Sequence, residues 1–199
     1  MKNLLQEIRP ALVSTIILAS ITCAAYPLAV TGIGQTLFPN QASGSLLHDR
    51  DGKVIGSSLI GQNFTADRYF HPRPSVAGSG YDASSSGGSN LGPTSQKLHD
   101  QIQERIAAYR KTNGVPDDVP VPADAVTASA SGLDPHISPA NARLQADRVA
   151  RARNFPVNQV TDLLASLVEP PDLGFLGEAR INVLRLNLAL DSLPSSAPQ

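Results

Sequence analysis

The chain has 199 residues and a formal net charge of −1, with 41% apolar and only 17% charged residues. This near-neutral balance, without a basic stripe, excludes a protein that binds the phosphate backbone of nucleic acids. The single cysteine, Cys23, excludes an intramolecular disulfide, and the length suits one domain plus a short additional segment.

The first predicted element is a membrane-spanning helix. Residues 10–30 are 21 consecutive positions without a charge. At about 1.5 Å per residue they match the roughly 30 Å of a bilayer's hydrocarbon core. Lys2 and Arg9 precede this span, so the positive-inside rule places the N-terminus in the cytoplasm. We predict a cytoplasmic segment at 1–9, a transmembrane helix at 10–30 and an extracytoplasmic, periplasmic domain at 31–193.

A cleaved signal peptide, or a lipid attached to Cys23, is the alternative for this segment. A retained anchor is favoured because the apolar run exceeds the usual signal core, and because Pro10 suits the first turn of a helix. The span also contains small polar residues that can bond either to neighbouring helices or to their own helix, and the sequence leaves this choice open. These residues are Ser14, Thr15, Ser20 and Thr22.

A β-hairpin is predicted over Ser45–Ile60, where two apolar runs flank Asp51-Gly52, a pair typical of a type I′ turn. The following segment, 62–93, is rich in Gly, Pro and Ser like a linker. It nevertheless contains four aromatic residues, so we expect it to fold over the rest of the domain. These are Phe64, Tyr69, Phe70 and Tyr81.

Three helices are predicted further along. One covers Thr94–Asn113, a second opens at Ser138-Pro139 and ends near Arg153, and a third begins at Pro156. In Arg180–Asp191 leucines alternate with other residues, which favours a strand, although the spacing also fits a helix. The fold class is therefore a single N-terminal transmembrane helix followed by one mixed α+β domain, and residues 194–199 are predicted to be a disordered tail.

Signatures of catalysis are weak. The chain contains no G-x-S-x-G elbow, Walker loop or G-x-G-x-x-G, and its four histidines are not paired at metal-ligand spacing. We therefore predict no catalytic residue and no metal site. A cluster of arginines is interpreted as a solvated surface, because its members do not share one helix face. The cluster consists of Arg143, Arg148, Arg151 and Arg153.

Two loops carry the remaining candidates. Ser86–Asn90 is rich in backbone N–H groups and hydroxyls and could cradle an anion, but a turn held by Asn90 is favoured, with Gly87 or Gly88 at positive φ. Asp134 and His136 could act as an acid–base pair. An Asx turn at Asp134, with His136 packed against the following helix start, is favoured instead.

Seven ordered motifs resemble one family. They are YPLAVTGIGQTLFP (26–39), DGKVIGSSLIGQ (51–62), YFHPRPS (69–75), SGGSNLGPT (86–94), SGLDPHISP (131–139), RVARAR (148–153) and LGEARINVLRLNLAL (176–190). On these motifs the chain closely resembles the C subunit of the Kdp-type potassium-transporting ATPase, a bacterial P-type ion pump. It departs at Ala179, where the family's pattern has proline.

The resemblance implies a non-catalytic subunit of a high-affinity potassium uptake pump in the bacterial inner membrane. Its implied partners are a channel-like potassium-binding subunit, an ATP-hydrolysing P-type subunit and the lipid bilayer. The implied roles are assembly of the complex and, as a catalytic chaperone, a raised ATP affinity of the hydrolysing subunit. We expect no tightly bound cofactor. ATP is expected only as a ligand shared with the ATP-hydrolysing subunit.

Two sets of site residues are proposed, the first from the resemblance. The SGGSN stretch looks like part of a nucleotide-contacting signature loop, which makes Ser86, Gly87, Gly88, Ser89 and Asn90 nucleotide-associated candidates. Structural or partner-contact candidates are Arg73, Asp134, His136, Gly177 and Glu178. Because ATP is cytoplasmic and the charge bias places these loops outside, we expect any effect on ATP affinity to pass through the membrane subunits. A free-standing periplasmic binding or enzyme module with an uncleaved signal anchor is the alternative function.

Overall fold

The computed structural model describes residues 2–49 and 51–194. The chain divides into two units, one up to Ile55 and one from Gly56 onward. Residues 195–199 of the predicted disordered tail lie outside the described residues.

The first unit is dominated by one long apolar helix. Helix α1 (Lys2–Ala19) passes through a π-helical turn (Ser20–Ala25) into α2 (Tyr26–Leu37). The wide turn precedes Pro27, which has no N–H to donate and whose ring would clash with the preceding turn of a regular α-helix. The Tyr26 N–H instead bonds to the carbonyl of Ile21, five residues back.

Small hydroxyl side chains in this helix bond to their own backbone. Ser20 Oγ donates to the Ile16 carbonyl at 2.7 Å, and Thr22 Oγ1 donates to the Leu18 carbonyl at 2.8 Å. Ser14 Oγ donates in the same way to Ala11. Of the two alternatives left open by the sequence, these three residues therefore bond to their own helix and not to a neighbouring one. Their hydrogen-bonding capacity is partly satisfied within the helix.

The apolar side chains of this helix are exposed within the structure, including Leu28 at 72% and Ile16 at 63%. Among the described residues, Gln6–Leu37 is the helix whose length and composition suit a membrane crossing. It is longer than the span expected at 10–30, and the prediction that Pro10 lies in the first helical turn was wrong, because α1 begins at Lys2 and Pro10 lies inside it. Such an apolar surface requires lipid or other apolar helices around it.

Short elements follow this helix. Helix α3 covers Pro39–Ala42, and strands β1 (Leu46–His48) and β2 (Val54–Ser57) form the predicted hairpin. The connection is longer than a two-residue type I′ turn. The Asp49 N–H bonds to the Lys53 carbonyl at 2.9 Å, and Asp49 Oδ1 accepts from the Asp51 and Lys53 N–H groups. The carboxylate of Asp49 therefore organises the loop.

The second unit combines helices with one small sheet. Its regular elements are a 3₁₀ turn (Ala83–Ser85), α4 (Gln96–Asn113), α5 (Ala123–Val126), β3 (His136–Ile137), α6 (Pro139–Arg153), α7 (Val157–Ser166), β4 (Ile181–Asn182) and α8 (Val183–Ser192). Strands β3 and β4 pair antiparallel, with Ile137 opposite Ile181. The α+β class and the three predicted helices are confirmed, and Ser95 and Ser138 cap α4 and α6 through their hydroxyls.

The alternating segment Arg180–Asp191 is a helix over most of its length, so the favoured strand prediction was wrong beyond Asn182. The Asn182 side chain accepts from the Arg185 N–H and caps α8. A leucine at every second position also places leucines four residues apart, and positions four apart share one face of a helix. Leu186 and Leu190 are such a pair, and both are fully buried. Helix α8 packs with α6 and α7 around the core, which includes Phe70, Val149, Val160 and Leu164.

The aromatic-rich loop folds over the domain as a strap (residues 67–75), and buried amide side chains hold it. Asn187 Oδ1 accepts from the Phe70 N–H at 2.8 Å, and its amide nitrogen donates to the Phe70 carbonyl at 3.0 Å. Gln145 makes the same pair of bonds to His71. Two helices thus provide the backbone partners that a neighbouring strand would otherwise supply.

Candidate functional site

The strap places Arg73 against the 129–136 loop. Arg73 Nη1 lies 2.9 Å from Asp134 Oδ2, and His136 Nδ1 lies 3.4 Å from Asp134 Oδ1. The His136 backbone N–H donates to Asp134 Oδ1 at 2.9 Å, which is the predicted Asx turn. Three of the predicted partner-contact residues therefore form one cluster.

The Asp134 carboxylate is stabilised as an anion. Burial acts to raise its pKa, but the hydrogen bonds from the side chain and the backbone of His136, together with the Arg73 guanidinium, hold that pKa below its ordinary value. A carboxylate held in this way is a poor proton acceptor near neutral pH. Its chemistry is that of a structural ion-pair partner.

The cluster borders a cleft of about 590 Å³ lined by Asp134, His136, Glu178 and Arg180 among others. His136 Nε2 is 3.8 Å from Glu169 Oε2, and Arg180 Nε is 3.3 Å from the same oxygen. Glu169 and Arg180 also exchange backbone hydrogen bonds at 2.8 and 3.0 Å. Four of the five partner-contact candidates thus line one cleft or touch its wall, whereas Gly177 lies in the adjoining turn with φ +81°.

The Ser86–Asn90 loop packs against the residues that precede Asp134. Ser86 Oγ and the Gly87 N–H both donate to the Ser131 carbonyl, at 3.0 and 2.9 Å. Two of the donors that an anion would need are therefore engaged within the domain. Ser89 and Asn90 are exposed.

The predicted positive φ at Gly87 or Gly88 was wrong. In this loop Asn90 has φ +52°, and the facing loop has Gly132 at φ +67°. Gly88 is closely packed all the same, since a Cβ there would lie 3.0 Å from the Ala130 carbonyl oxygen, which is a tight contact. The backbones of the two loops lie in direct contact. The sequence did not show which loop of the chain each glycine packs against.

The arginine cluster is only partly a solvated surface. Arg143 and Arg151 are exposed, but Arg148 is 5% exposed. Arg148 donates to the Asp67 and Tyr69 carbonyls of the strap and to Asn113 Oδ1. The prediction was wrong for Arg148 because residues of a distant loop cover it and supply acceptors. With Gln145 and Asn187 it forms a set of buried polar residues that sequence reasoning missed. The one feature of the sequence that could have revealed them is a polar residue at a helical position that otherwise faces the core.

A second cleft of about 460 Å³ lies between the strap and α4 and includes His71, Arg73, Arg105 and Tyr109 in its lining. Burial and the nearby Arg148 charge lower the pKa of His71, which favours the neutral ring. Among the described residues, no group of three His, Cys, Asp or Glu side chains is arranged to hold a metal ion.

Comparison with known proteins defines the class. The family model described as "KdpC: K+-transporting ATPase, c chain" matches residues 8–192. The chain therefore belongs to the KdpC family.

Three relatives share the name potassium-transporting ATPase KdpC subunit. The protein from Mycobacterium bovis (strain BCG / Pasteur 1173P2) is 58% identical over 188 residues, covering 94% of this chain and 99% of the relative. The protein from Caulobacter vibrioides (strain NA1000 / CB15N) is 56% identical over 189 residues, covering 95% of this chain and 94% of the relative. The protein from Rhodospirillum rubrum is 57% identical over 189 residues, covering 94% of this chain and 96% of the relative.

Proposed function

We propose that this chain is the non-catalytic, membrane-anchored C subunit of an ATP-driven potassium uptake pump. It joins a channel-like potassium-binding subunit and an ATP-hydrolysing P-type subunit in the bacterial inner membrane, and the complex requires it for assembly. The observation that carries this proposal is the family match over residues 8–192. That match includes both the long apolar helix and the cluster around Asp134.

The chemistry of the second unit supports a structural role. Asp134 and Glu169 are paired with Arg73 and Arg180, and His136 lies between the two carboxylates, so their polar atoms hold loops together. Arginine–carboxylate pairs of this kind fix geometry and do not activate a nucleophile. We therefore propose that the chain alone has no ATPase turnover.

The orientation follows from charge. With Lys2 and Arg9 before the apolar helix, the N-terminus is cytoplasmic and the second unit periplasmic. An effect on ATP affinity would then pass through the membrane subunits, and Ser86–Asn90 would be a structural loop. The engagement of Ser86 and Gly87 with Ser131 supports this assignment.

Co-purification tests assembly. The full-length chain is expressed with the other pump subunits, and a tag on the ATP-hydrolysing subunit is used to purify the complex in mild detergent. We expect the chain to be recovered with both partners. Recovery of the pump subunits without it, or an active chain on its own, would support the free-standing module instead.

A reporter fused after Gln199 tests orientation. Alkaline phosphatase, which requires the periplasm, is expected to be active, and a cytoplasmic fluorescent reporter fused at the same position is the control. Nucleotide photo-cross-linking to Ser86–Asn90 in the assembled complex, with activity of the cytoplasmic reporter only, would contradict the proposed topology.

A further inference from the structure

The turn between Glu169 and Arg180 carries large apolar side chains in solvent. Leu173 is 83% exposed, Phe175 is 75% exposed and Leu176 is 50% exposed. Residues 173–176 are called the apolar tip below. Single exposed apolar residues are common on protein surfaces, but three large ones within four consecutive positions form a patch typical of an interaction site.

The apolar tip is held in place by a polar frame. Asp172 and Leu176 exchange backbone hydrogen bonds, both at 2.9 Å. Arg180 lies 3.1 Å from Asp172 Oδ1 and 3.3 Å from Glu169 Oε2, so one guanidinium joins both sides of the base. A tip that is already ordered loses little conformational entropy when a partner covers it.

Two consecutive residues at the tip adopt the left-handed backbone conformation. Leu173 has φ +54°, a conformation that non-glycine residues adopt rarely. The next residue, Gly174, has φ +83°.

The charges around the tip distinguish a protein partner from lipid. Arg180 and Arg185 are engaged with Glu169 and Asp172, whereas Glu178 is exposed and makes no ion pair among the described residues. The rim therefore presents an uncompensated carboxylate beside the apolar side chains. Anionic lipid headgroups would repel this charge, whereas a protein socket with a basic residue on its rim would complement it.

We propose that the apolar tip docks into an apolar, basic-rimmed socket on another subunit of the pump, with Phe175 as the central anchor. This inference rests on the proposed function, because the partner is one of the pump's own subunits. Buried aromatic anchors surrounded by a polar rim are the usual energetic centres of protein interfaces.

Substitution of Phe175 tests the proposal in the full complex. Phe175→Asp is expected to lower the recovery of this chain with the tagged ATP-hydrolysing subunit by about tenfold or more, as for a hot-spot residue. Leu59→Asp is the matched control, because Leu59 is 63% exposed in the same unit and outside the tip. Both variants must reach the membrane in wild-type amounts and resist trypsin like the wild type.

The outcomes separate the two proposals. If the wild-type chain is not recovered with the other subunits, the proposed function fails and this inference fails with it. If the wild type and Phe175→Asp are recovered equally, the inference alone fails.

A photo-reactive phenylalanine analogue at position 175 identifies what covers the tip. A cross-link in the assembled complex to another pump subunit, identified by mass spectrometry, supports the proposal. Adducts with lipid only, adducts with a second copy of this chain, or no adduct would each overturn it.

Discussion

Gly132 lies where the strap, the Ser86–Asn90 loop and the 129–136 loop meet. Its φ is +67°, and a Cβ there would lie 2.7 Å from the Gly87 carbonyl oxygen and 2.8 Å from the Ala77 nitrogen. Both neighbours are backbone atoms, which cannot move aside as a flexible side chain would. The position therefore excludes every residue except glycine for two independent reasons, the conformation and the space.

We expect Gly132→Ala to lower the free energy of unfolding by about 2–4 kcal/mol, from backbone strain together with overpacking. Gly87→Ala is the control, since a Cβ at Gly87 meets nothing within 4 Å. It should change stability by less than about 0.5 kcal/mol. Urea unfolding of the full-length chain in detergent measures both, and equal values for the two variants would contradict the account.

His71 gives the domain a dependence on mild acid. Its pKa is lowered in the folded state by burial and by Arg148, whereas an unfolded histidine titrates near about 6.5. The unfolded chain therefore binds more protons below that pH. The stability contributed by the neutral ring is present above about pH 6.5 and is lost as the pH falls through the lower folded pKa.

We expect the wild-type chain to lose more stability between pH 7.5 and 5.5 than His71→Gln does. His99→Gln, which changes a histidine side chain that is 65% exposed, should follow the wild type. Thermal unfolding of the detergent-solubilised chain at both pH values is the measurement. Identical pH dependence in wild type and His71→Gln would show that His71 does not carry this effect.

At the scale of elements, the strap is held by side chains instead of a strand ladder. Asn187 and Gln145 are each 1% exposed and each bonds both backbone groups of one strap residue. Arg148 adds bonds to two further carbonyls. Helices α6 and α8 can therefore position Arg73 next to Asp134 without a third strand in the small sheet.

We expect Asn187→Leu to destabilise the chain by about 2–4 kcal/mol, because the Phe70 N–H and carbonyl would be left buried without partners. Asn158→Leu on α7 changes an exposed asparagine in the same way and should be nearly neutral. Chemical denaturation compares the two variants. A neutral Asn187→Leu would mean that water or a shifted strap replaces these bonds.

At the scale of the molecule, the apolar helix requires an apolar environment around its side chains. Leu18 is 60% exposed and Ile21 is 53% exposed within the structure. A charged side chain at the centre of a membrane-spanning helix costs roughly 2.5–3.5 kcal/mol. Two arginines at these positions should therefore prevent stable insertion.

We expect the Leu18→Arg, Ile21→Arg double variant to be released from membranes by alkaline carbonate, whereas the wild type stays in the pellet. The control carries arginines at Leu59 and Val157, which are also exposed but lie in the second unit. It should remain in the pellet. Release of the control to the same extent would show that the effect comes from general destabilisation.

Local signals in the sequence were sufficient for most elements. The cap at Ser138, the Asx turn at Asp134 and the apolar run in the first unit all depend on residues within a few positions of one another. Short-range geometry determines such features, so the pattern alone predicts them. The family resemblance likewise depended on ordered motifs and was confirmed by the comparison.

The remaining features depend on contacts between distant segments. The alternating leucines of 184–190 fit both periods, and packing of Leu186 and Leu190 against α6 and α7 decided for a helix. The sequence predicted Arg148 to be a surface charge, but the strap, 79 residues earlier at Tyr69, covers its side chain. The glycine with positive φ lies in the facing loop, at Gly132, because the close approach of two loops is a tertiary property. The sequence by itself therefore determined the start of α6 at Ser138, the presence of the apolar span and the family. Burial and loop contacts, which combine residues far apart in the chain, were decided only by the tertiary structure.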